Sequence, residues 1–124
     1  MANKKHLTYE EKIIKALKSL PNPLIDNKHR IIIVLDNNRA RSNESRFEHI
    51  AVSRHELLPS DIKQIPKRIE TSILKKDKER TNTYNIYIAR NGHVGEYIKI
   101  SIEIDFKKSN IGFVKTIYIT RNNK

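Results

Sequence analysis

The stretch EYIKISIEIDF, from Glu96 to Phe106, alternates polar and apolar residues over its whole length. Successive side chains of a β-strand point to opposite faces, so one face of this segment is apolar and the other polar. The apolar row comprises Ile98, Ile100, Ile102, Ile104 and Phe106. The pattern predicts a central strand in a sheet that helices cover on one face only.

Two further strands are predicted around this segment. Residues 84–90 alternate in the same way, and the Asn91-Gly92 pair that follows them is a strong hairpin signal. Residues 111–120 form the third strand. The charged run at residues 75–82 contains no apolar side chain, so it is predicted to be an exposed loop.

Helical patterns precede the strands. Thr8 and Glu11 form a capping-box pattern, and apolar residues at helical spacing then continue to Leu20, just before Pro21. This pattern predicts a first helix from about Tyr9 to Leu20. The β-branched run at residues 30–35 predicts a short buried strand.

Two more helical segments are predicted in the middle of the chain. The first is short and carries Phe47-Glu48-His49-Ile50. The second lies between Pro59 and Leu74, where isoleucines recur at spacings of three and four. Pro66 lacks a backbone donor, so this segment is predicted to form either two short helices or one kinked helix.

Helices followed by an antiparallel meander indicate the α+β class, with N-terminal helices packed on one face of a twisted antiparallel sheet. The 124 residues fit one domain with one core. We divide this domain into an N-terminal helix and linker (1–29), a part with a strand and helices (30–74) and the meander (84–120).

The chain is strongly basic, with 25 Lys and Arg against 14 Asp and Glu and a net charge of +11. A polyanion is therefore the expected partner, although RNA, DNA, an anionic membrane and an acidic protein all satisfy this charge. The absence of cysteine excludes disulfides, thiolate zinc sites and a cysteine nucleophile. Neither a signal peptide nor a membrane span is expected, since no sufficiently long apolar stretch occurs.

The polar faces of two predicted strands form a candidate working surface. The central strand contributes one base and two acids, and the last strand contributes hydroxyl groups. Polar side chains on such a face can equally be ordinary water-facing residues. The side chains are Tyr97, Lys99, Ser101, Glu103 and Asp105 on the central strand and Thr116, Tyr118 and Thr120 on the last.

His49, His55 and Arg54 are the side chains that most suggest chemistry. Histidine titrates near neutral pH, and arginine can hold a phosphate through two parallel hydrogen bonds. Each of them can also be merely structural, as a partly buried histidine or a solvated cation. The histidine spacing is not a zinc pattern and no carboxylate cluster completes one, so neither a metal nor another cofactor is expected.

The order of short motifs resembles the barnase, EndoU, colicin and RelE superfamily of nucleases, in its phage and polymorphic-toxin branches, including toxins of contact-dependent growth inhibition. The resemblance spans roughly residues 30–120. The motifs that carry it are Phe47-Glu48-His49-Ile50, Arg54-His55-Glu56-Leu57, Asp61-Ile62-Lys63-Gln64-Ile65-Pro66 and the final strand Phe113-Val114-Lys115-Thr116-Ile117-Tyr118-Ile119-Thr120.

The resemblance implies an endoribonuclease that cleaves RNA without metal on the open face of its sheet. By position, His49 corresponds to the family's helix histidine, and Arg54 or His55 would supply the phosphate-binding or second catalytic group. Glu103 lies where some members place a carboxylate base. The polar positions of the family's last strand fall on Thr116, Tyr118 and Thr120.

The expected reaction is transesterification by the RNA 2′-hydroxyl, with His49 or His55 as base or acid. Charge on the phosphate oxygens would be stabilised by cations and hydroxyls. The candidates for this role are Arg54, Lys99, Lys115, Thr116 and Tyr118. Of these, Lys115 is predicted to point towards the helices, because it shares its parity with Phe113, Ile117 and Ile119.

Two other functions fit the same residues. A non-catalytic RNA-binding module would hold phosphates on the basic face and stack a base on Tyr97 or Tyr118. A protein-binding regulator would meet an acidic partner.

If the chain is a toxin, the resemblance implies a monomer that cuts RNA, with tRNA as one candidate, in the bacterial cytoplasm. It would act either free-standing or as the C-terminal domain of a secreted toxin, and an immunity protein would neutralise it.

Overall fold

The computed structural model describes residues 6–36, 39–41, 44–53 and 56–121. Three α-helices and one short 3-10 helix occur in these ranges, namely α1 (Tyr9–Lys18), α2 (Arg46–Ser53), α3 (Pro59–Arg68) and the 3-10 helix Ile69–Thr71. The strands are β1 (Leu24–Asp26), β2 (Ile31–Val34), β3 (Arg39–Arg41), β4 (Glu44–Ser45), β5 (Ile73–Lys76), β6 (Thr83–Ala89), β7 (Tyr97–Glu103) and β8 (Ile111–Thr120).

Six of the strands form one curled sheet in the order β1-β2-β8-β7-β6-β5, while β3 and β4 pair separately. The α+β class is therefore confirmed. The expectation of a wholly antiparallel sheet is wrong, because β2 runs parallel to β8, with Ile32 beside Ile111 and Val34 beside Phe113. The sheet is mixed because an N-terminal strand joins the meander along β8, which brings together segments nearly eighty residues apart.

The core lies between the three α-helices and one face of the sheet. The predicted row on β7 is buried at Ile98, Ile100, Ile102 and Ile104, as expected. Phe106 is the exception, because β7 ends at Glu103 and the ring lies in the following turn. Its side chain is 45% exposed and meets the ring of Tyr84 edge to face, with the centroids 4.9 Å apart.

The local signals in the helices agree with the structure. Thr8 caps α1, since its Oγ1 accepts a 3.1 Å hydrogen bond from the Glu11 N–H and its own N–H donates to the Glu11 carboxylate at 2.9 Å. The third helix, α3, continues through Pro66 as one helix and is followed directly by the 3-10 helix. Pro66 removes one backbone donor two residues before the end of α3, and the loss of this single hydrogen bond does not interrupt the helix.

Two strands of the large sheet were not predicted. One is β1, which lies in the part assigned to the linker and has only three residues, too few to show alternation. The other is β5, which includes Ile73 and Leu74 from the end of the segment predicted to be helical, and Lys75 and Lys76 of the predicted loop. It is an edge strand, where lysines are common because they discourage pairing with another chain.

A β-bulge at Lys115 changes the alternation of β8. Ser101 pairs with Thr116 but Ile102 pairs with Val114, so Lys115 is the extra residue. On the N-terminal side of the bulge, the buried and exposed positions are therefore exchanged relative to a regular strand. As a result, the Phe113 side chain is 47% exposed. The Lys115 Nζ lies 3.5 Å from Thr83 Oγ1 on β6, on the face opposite the helices. The prediction that Lys115 points towards the helices is wrong for this reason.

We call the sheet face opposite the core the open face. It carries Thr83, Asn85 and Tyr87 of β6, Tyr97, Lys99, Ser101 and Glu103 of β7, and Phe113, Thr116, Tyr118 and Thr120 of β8. Because β2 pairs only with the first residues of β8, the remaining edge of β8 is available to α2. The Arg46 guanidinium binds this edge by donating a 2.8 Å hydrogen bond to the Lys115 carbonyl.

Candidate functional site

A cavity of about 500 Å³ lies on the open face, and we call it the central cavity. Its floor is formed by side chains of β6, β7 and β8. One wall is α2, which contributes His49, and the opposite wall is β5 together with the turn at residues 77–80. The cavity is therefore built by segments that are distant along the chain and meet only in the folded protein.

Four of the predicted site residues line the central cavity, namely His49, Lys99, Thr116 and Tyr118. His49 comes from α2, Lys99 from β7, and the other two from β8. Because the bulge at Lys115 precedes Thr116, the alternation that places Thr116 and Tyr118 on one face holds through the rest of β8. The fold thus gathers an imidazole, an ammonium and two hydroxyl groups around one space.

The other predicted residues lie elsewhere. Tyr97 and Thr120 face each other across β7 and β8 at one end of the open face, beyond the residues that line the central cavity. Glu103 lies towards the opposite end and lines a second pocket. Arg54 and His55 lie outside the described residues.

The Lys99 ammonium lies close to two tyrosine rings. Its Nζ lies 5.3 Å from the centroid of Tyr118 and 5.7 Å from that of Tyr87. Burial by itself lowers the pKa of this lysine, but the hydrogen bond with Tyr118 and the neighbouring Tyr118, Tyr87 and Asp77 outweigh burial, so the pKa is raised. The central cavity therefore contains a permanent positive charge at neutral pH.

Asp77 organises the turn that follows β5. Its Oδ1 accepts hydrogen bonds of 2.9 Å from the N–H groups of Glu79 and Arg80, and its Oδ2 accepts one of 3.2 Å from the Asn85 amide. These hydrogen bonds lower the pKa of Asp77 to about 2. Asn85 in turn accepts a 2.7 Å hydrogen bond from the Ser101 hydroxyl. The turn is thus joined to the cavity floor by a chain of hydrogen bonds.

Positive charge predominates around the central cavity. Of the described residues that line it, five are cationic and two are acidic. Apart from Lys99, all these charged residues lie in β5 and its turn, at Lys75, Lys76, Asp77, Lys78, Glu79 and Arg80. Sequence reasoning assigned this run to an exposed loop and did not include it in the site. The run of lysines was the sequence signal that could have indicated these site residues. The run reaches the cavity, however, only because β5 pairs with β6.

A second charged cluster was also missed, and it lies outside the central cavity. The buried guanidinium of Arg90 donates to both carboxylate oxygens of Asp61, at 2.9 and 3.0 Å. It also donates to Glu96 at 2.7 Å and to the Glu56 carbonyl at 3.3 Å. The cluster joins the start of α3 to the end of β6, so its role is to hold the helical layer on the sheet.

Among the described residues we find neither a metal-binding cluster nor a membrane-spanning helix. No group of three or more histidine, aspartate or glutamate side chains is arranged to hold a metal ion in these ranges. Within the same part of the chain, no helix has the length and apolarity needed to cross a bilayer. Comparisons with protein-family models, with curated proteins and with solved structures return no match.

Proposed function

We propose that the protein is an endoribonuclease of barnase-like fold, which cleaves RNA by attack of the 2′-hydroxyl without a metal ion. The proposal rests chiefly on one observation. The imidazole of His49 shares the cationic central cavity with the Lys99 ammonium and the hydroxyl groups of Thr116 and Tyr118. A phosphodiester placed there would have a titratable group and positive charge beside it.

The reaction begins with removal of the 2′-hydroxyl proton by a base. The O2′–P bond forms as the P–O5′ bond breaks, and an acid donates a proton to the departing 5′-oxygen. The products are a 2′,3′-cyclic phosphate and a 5′-hydroxyl end. His49 takes the role of base or acid, since it is the imidazole among the described residues of the central cavity. By the resemblance, Arg54 or His55, which follow α2 in the sequence, supplies the phosphate-binding or second catalytic group.

Negative charge develops on the phosphate oxygens during this step. Lys99 is suited to stabilise it, because its raised pKa keeps the ammonium protonated. The Tyr118 hydroxyl, which is hydrogen-bonded to Lys99, and the Thr116 hydroxyl complete the polar surroundings. Asp77 is not a proton carrier near neutral pH, since its pKa is about 2. It instead orders the turn that bears Lys78 and Arg80.

The biological setting follows from the family resemblance alone. It comprises a toxin that acts in the bacterial cytoplasm, RNA substrates that include tRNA, and an immunity protein as the neutralising partner. The net charge of +11 supports an acidic surface on such a partner. The same charge supports binding of RNA over long stretches of its backbone.

The decisive experiment uses short RNA strands with one 2′-deoxynucleotide placed at each position in turn. We expect cleavage to stop only where the deoxynucleotide removes the attacking hydroxyl, and the normal products to carry a 2′,3′-cyclic phosphate. Cleavage should also persist in excess chelator. Loss of activity with chelator, or cleavage at the deoxynucleotide, would contradict the mechanism. Salt-sensitive binding with no product at any protein concentration would instead indicate a non-catalytic RNA-binding module.

A further inference from the structure

We infer that Arg46 is a positioning residue, which fixes the His49 imidazole relative to the hydroxyl groups on the floor of the central cavity. This inference rests on the proposed function and gives a role to a residue that does not itself line the cavity. Arg46 is the first residue of α2, and His49 follows it by three positions. The contact that carries the inference is the 2.8 Å hydrogen bond from Arg46 Nη1 to the Lys115 carbonyl.

The acceptor of this hydrogen bond lies at the β-bulge. Lys115 is the extra residue of β8, and a bulge interrupts the regular ladder of backbone hydrogen bonds. Backbone groups at such a position need partners from outside the ladder. β2 pairs with β8 at residues 111–113, before the bulge. The Arg46 guanidinium binds the carbonyl instead, so it ties the first turn of α2 to the residue directly before Thr116.

His49 and Arg46 are neighbours on the surface of α2. Residues three positions apart lie one above the other on a helix and differ by about 4.5 Å along its axis. A tie at Arg46 therefore restrains both the rotation and the height of the turn that carries His49. On the strand, Thr116 and Tyr118 follow Lys115 at one and three positions. One hydrogen bond thus connects the helical wall of the central cavity to its floor.

Other interactions at the start of α2 do not set its position on the sheet in the same way. Ser45 and Glu48 form a capping box, in which the Ser45 N–H donates to the Glu48 carboxylate at 2.9 Å and the Glu48 N–H donates to the Ser45 hydroxyl at 3.2 Å. These bonds stabilise the first turn, but they join residues only three positions apart. Phe47, Ile50 and Ala51 are buried and hold α2 on the core. Apolar burial is not directional, whereas a hydrogen bond is.

The position of His49 matters because small displacements of a general acid or base are costly. A misplacement of about 1 Å can lower a rate by about 100-fold. Loss of Arg46 leaves the cations of β5 and its turn in place, so RNA binding should be retained. We expect Arg46→Met to lower kcat about tenfold, with a change in KM of less than about twofold. Arg46→Lys keeps one donor and should recover part of kcat.

The competing role for Arg46 is a direct contact with an RNA phosphate. In that case Arg46→Met would raise KM and would reduce the slope of log affinity against log salt by about 0.7. The positioning role predicts an unchanged slope for an uncleavable 2′-deoxy strand. Lys63→Met is the matched control for the loss of one cation, since Lys63 is exposed on α3 and does not line the cavity. This control should keep the wild-type kcat and KM.

A second control separates positioning from the stability of the helix. Glu48→Ala removes the capping box at the same end of α2 and leaves the hydrogen bond between Arg46 and Lys115 in place. It should lower the thermal transition, yet kcat should fall much less than in Arg46→Met. The thermal transition of every variant is measured, and Arg46→Gln replaces Arg46→Met if the latter does not fold.

Nuclear magnetic resonance tests the position of His49 without RNA. Arg46→Met should shift the imidazole signals of His49 more than Arg46→Lys does, and it should leave those of the exposed His93 unchanged. This behaviour in a protein that cuts no RNA would support the positioning role and contradict the nuclease. Equal shifts in the two Arg46 variants, or equal losses of kcat in Arg46→Met and Glu48→Ala, would overturn the inference even if RNA is cleaved. A raised KM with a reduced salt slope would also overturn it.

Discussion

The Lys99 ammonium lies 5.3 Å from the centre of the Tyr118 ring, and the two residues are paired across β7 and β8. A cation over an aromatic face is stabilised by the ring electrons. The Tyr118 hydroxyl adds a hydrogen bond, and together with Tyr87 and Asp77 it outweighs the effect of burial on the lysine pKa. The sheet thus holds a charged amine at the floor of a cavity without a direct carboxylate partner among the described side chains.

Replacing Lys99 should impair catalysis more than substrate binding. We expect Lys99→Met to lower kcat by about 100-fold with a smaller change in KM, because a charge that stabilises the transition state is lost. The raised pKa means that the wild-type rate should not decline through loss of the Lys99 proton until the pH exceeds the usual lysine value of 10.5. Steady-state kinetics and a pH–rate profile check this, and Lys99→Arg should retain more activity than Lys99→Met.

Removal of the His49 imidazole should abolish most RNA cleavage. We expect a loss of about 100-fold or more for His49→Ala, which is typical for a general acid or base. His93 is the matched control, because it is an exposed histidine in the β6–β7 turn and does not line the central cavity. Cleavage assays with thermal unfolding of both variants provide the readout. Equal activity of His49→Ala and His93→Ala at similar stability would show that His49 has no catalytic role.

Asp77 should make the stability of the protein depend on pH in the acid range. Its folded pKa of about 2 is below the ordinary value of 3.8, so the ionised carboxylate stabilises the fold. This stabilisation is fully present above about pH 4 and is lost as the pH falls towards 2. Asp77→Asn should therefore be less stable than wild type at pH 7, by about 1 kcal/mol. The difference should shrink in acid.

Urea unfolding at pH 7, 4 and 2.5 measures this effect. The exposed Asp36 provides a control, since Asp36→Asn removes an aspartate that does not line the central cavity. A constant difference between wild type and Asp77→Asn at all three pH values would contradict the assignment. A separate RNA-binding titration at pH 7 shows whether the turn depends on Asp77, because a loosened turn in Asp77→Asn should weaken RNA binding through Lys78 and Arg80.

Breaking the Arg90 cluster should destabilise the fold strongly. Arg90→Met leaves the Asp61 carboxylate, which is 6% exposed, without its guanidinium partner. We expect the free energy of unfolding to fall by about 3 kcal/mol. The double variant Arg90→Met/Asp61→Asn should recover part of the loss, because a neutral side chain is cheaper to bury and can still cap α3 through the Leu58 N–H. Denaturant titrations of the wild type, the single variant and the double variant measure these free energies of unfolding. An equal loss of stability in the single and double variants would contradict the prediction.

The wall of the central cavity formed by β5 and the turn at residues 77–80 should govern the salt dependence of RNA binding. For single strands, each phosphate neutralised contributes about 0.7 to the slope of log affinity against log salt. We expect Lys78→Gln or Arg80→Gln each to reduce the slope by up to about this amount. Lys12→Gln on α1 should leave it unchanged, since Lys12 is exposed and does not line the cavity. Binding of an uncleavable 2′-deoxy strand across a salt series checks the prediction.

Much of the local structure could be predicted from short patterns. The cap at Thr8 and Glu11 and the buried isoleucines of β7 depend on residues within a few positions of one another. The position of His49 on a short helix, and the common face of Thr116 and Tyr118, follow from the same kind of local periodicity. The amino-acid sequence by itself therefore determined the three α-helices, the strands β2, β6, β7 and β8, the apolar face and part of the central cavity.

Only the tertiary structure decided how these elements meet. The parallel pairing of β2 with β8, the edge position of β5 and the bulge at Lys115 all depend on contacts between distant segments. Alternation counted along β8 assigns Lys115 to the core, because a local count cannot show where a partner strand leaves one residue unpaired. For the same physical reason, the basic run after Ile73 became a cavity wall only when β5 paired with β6.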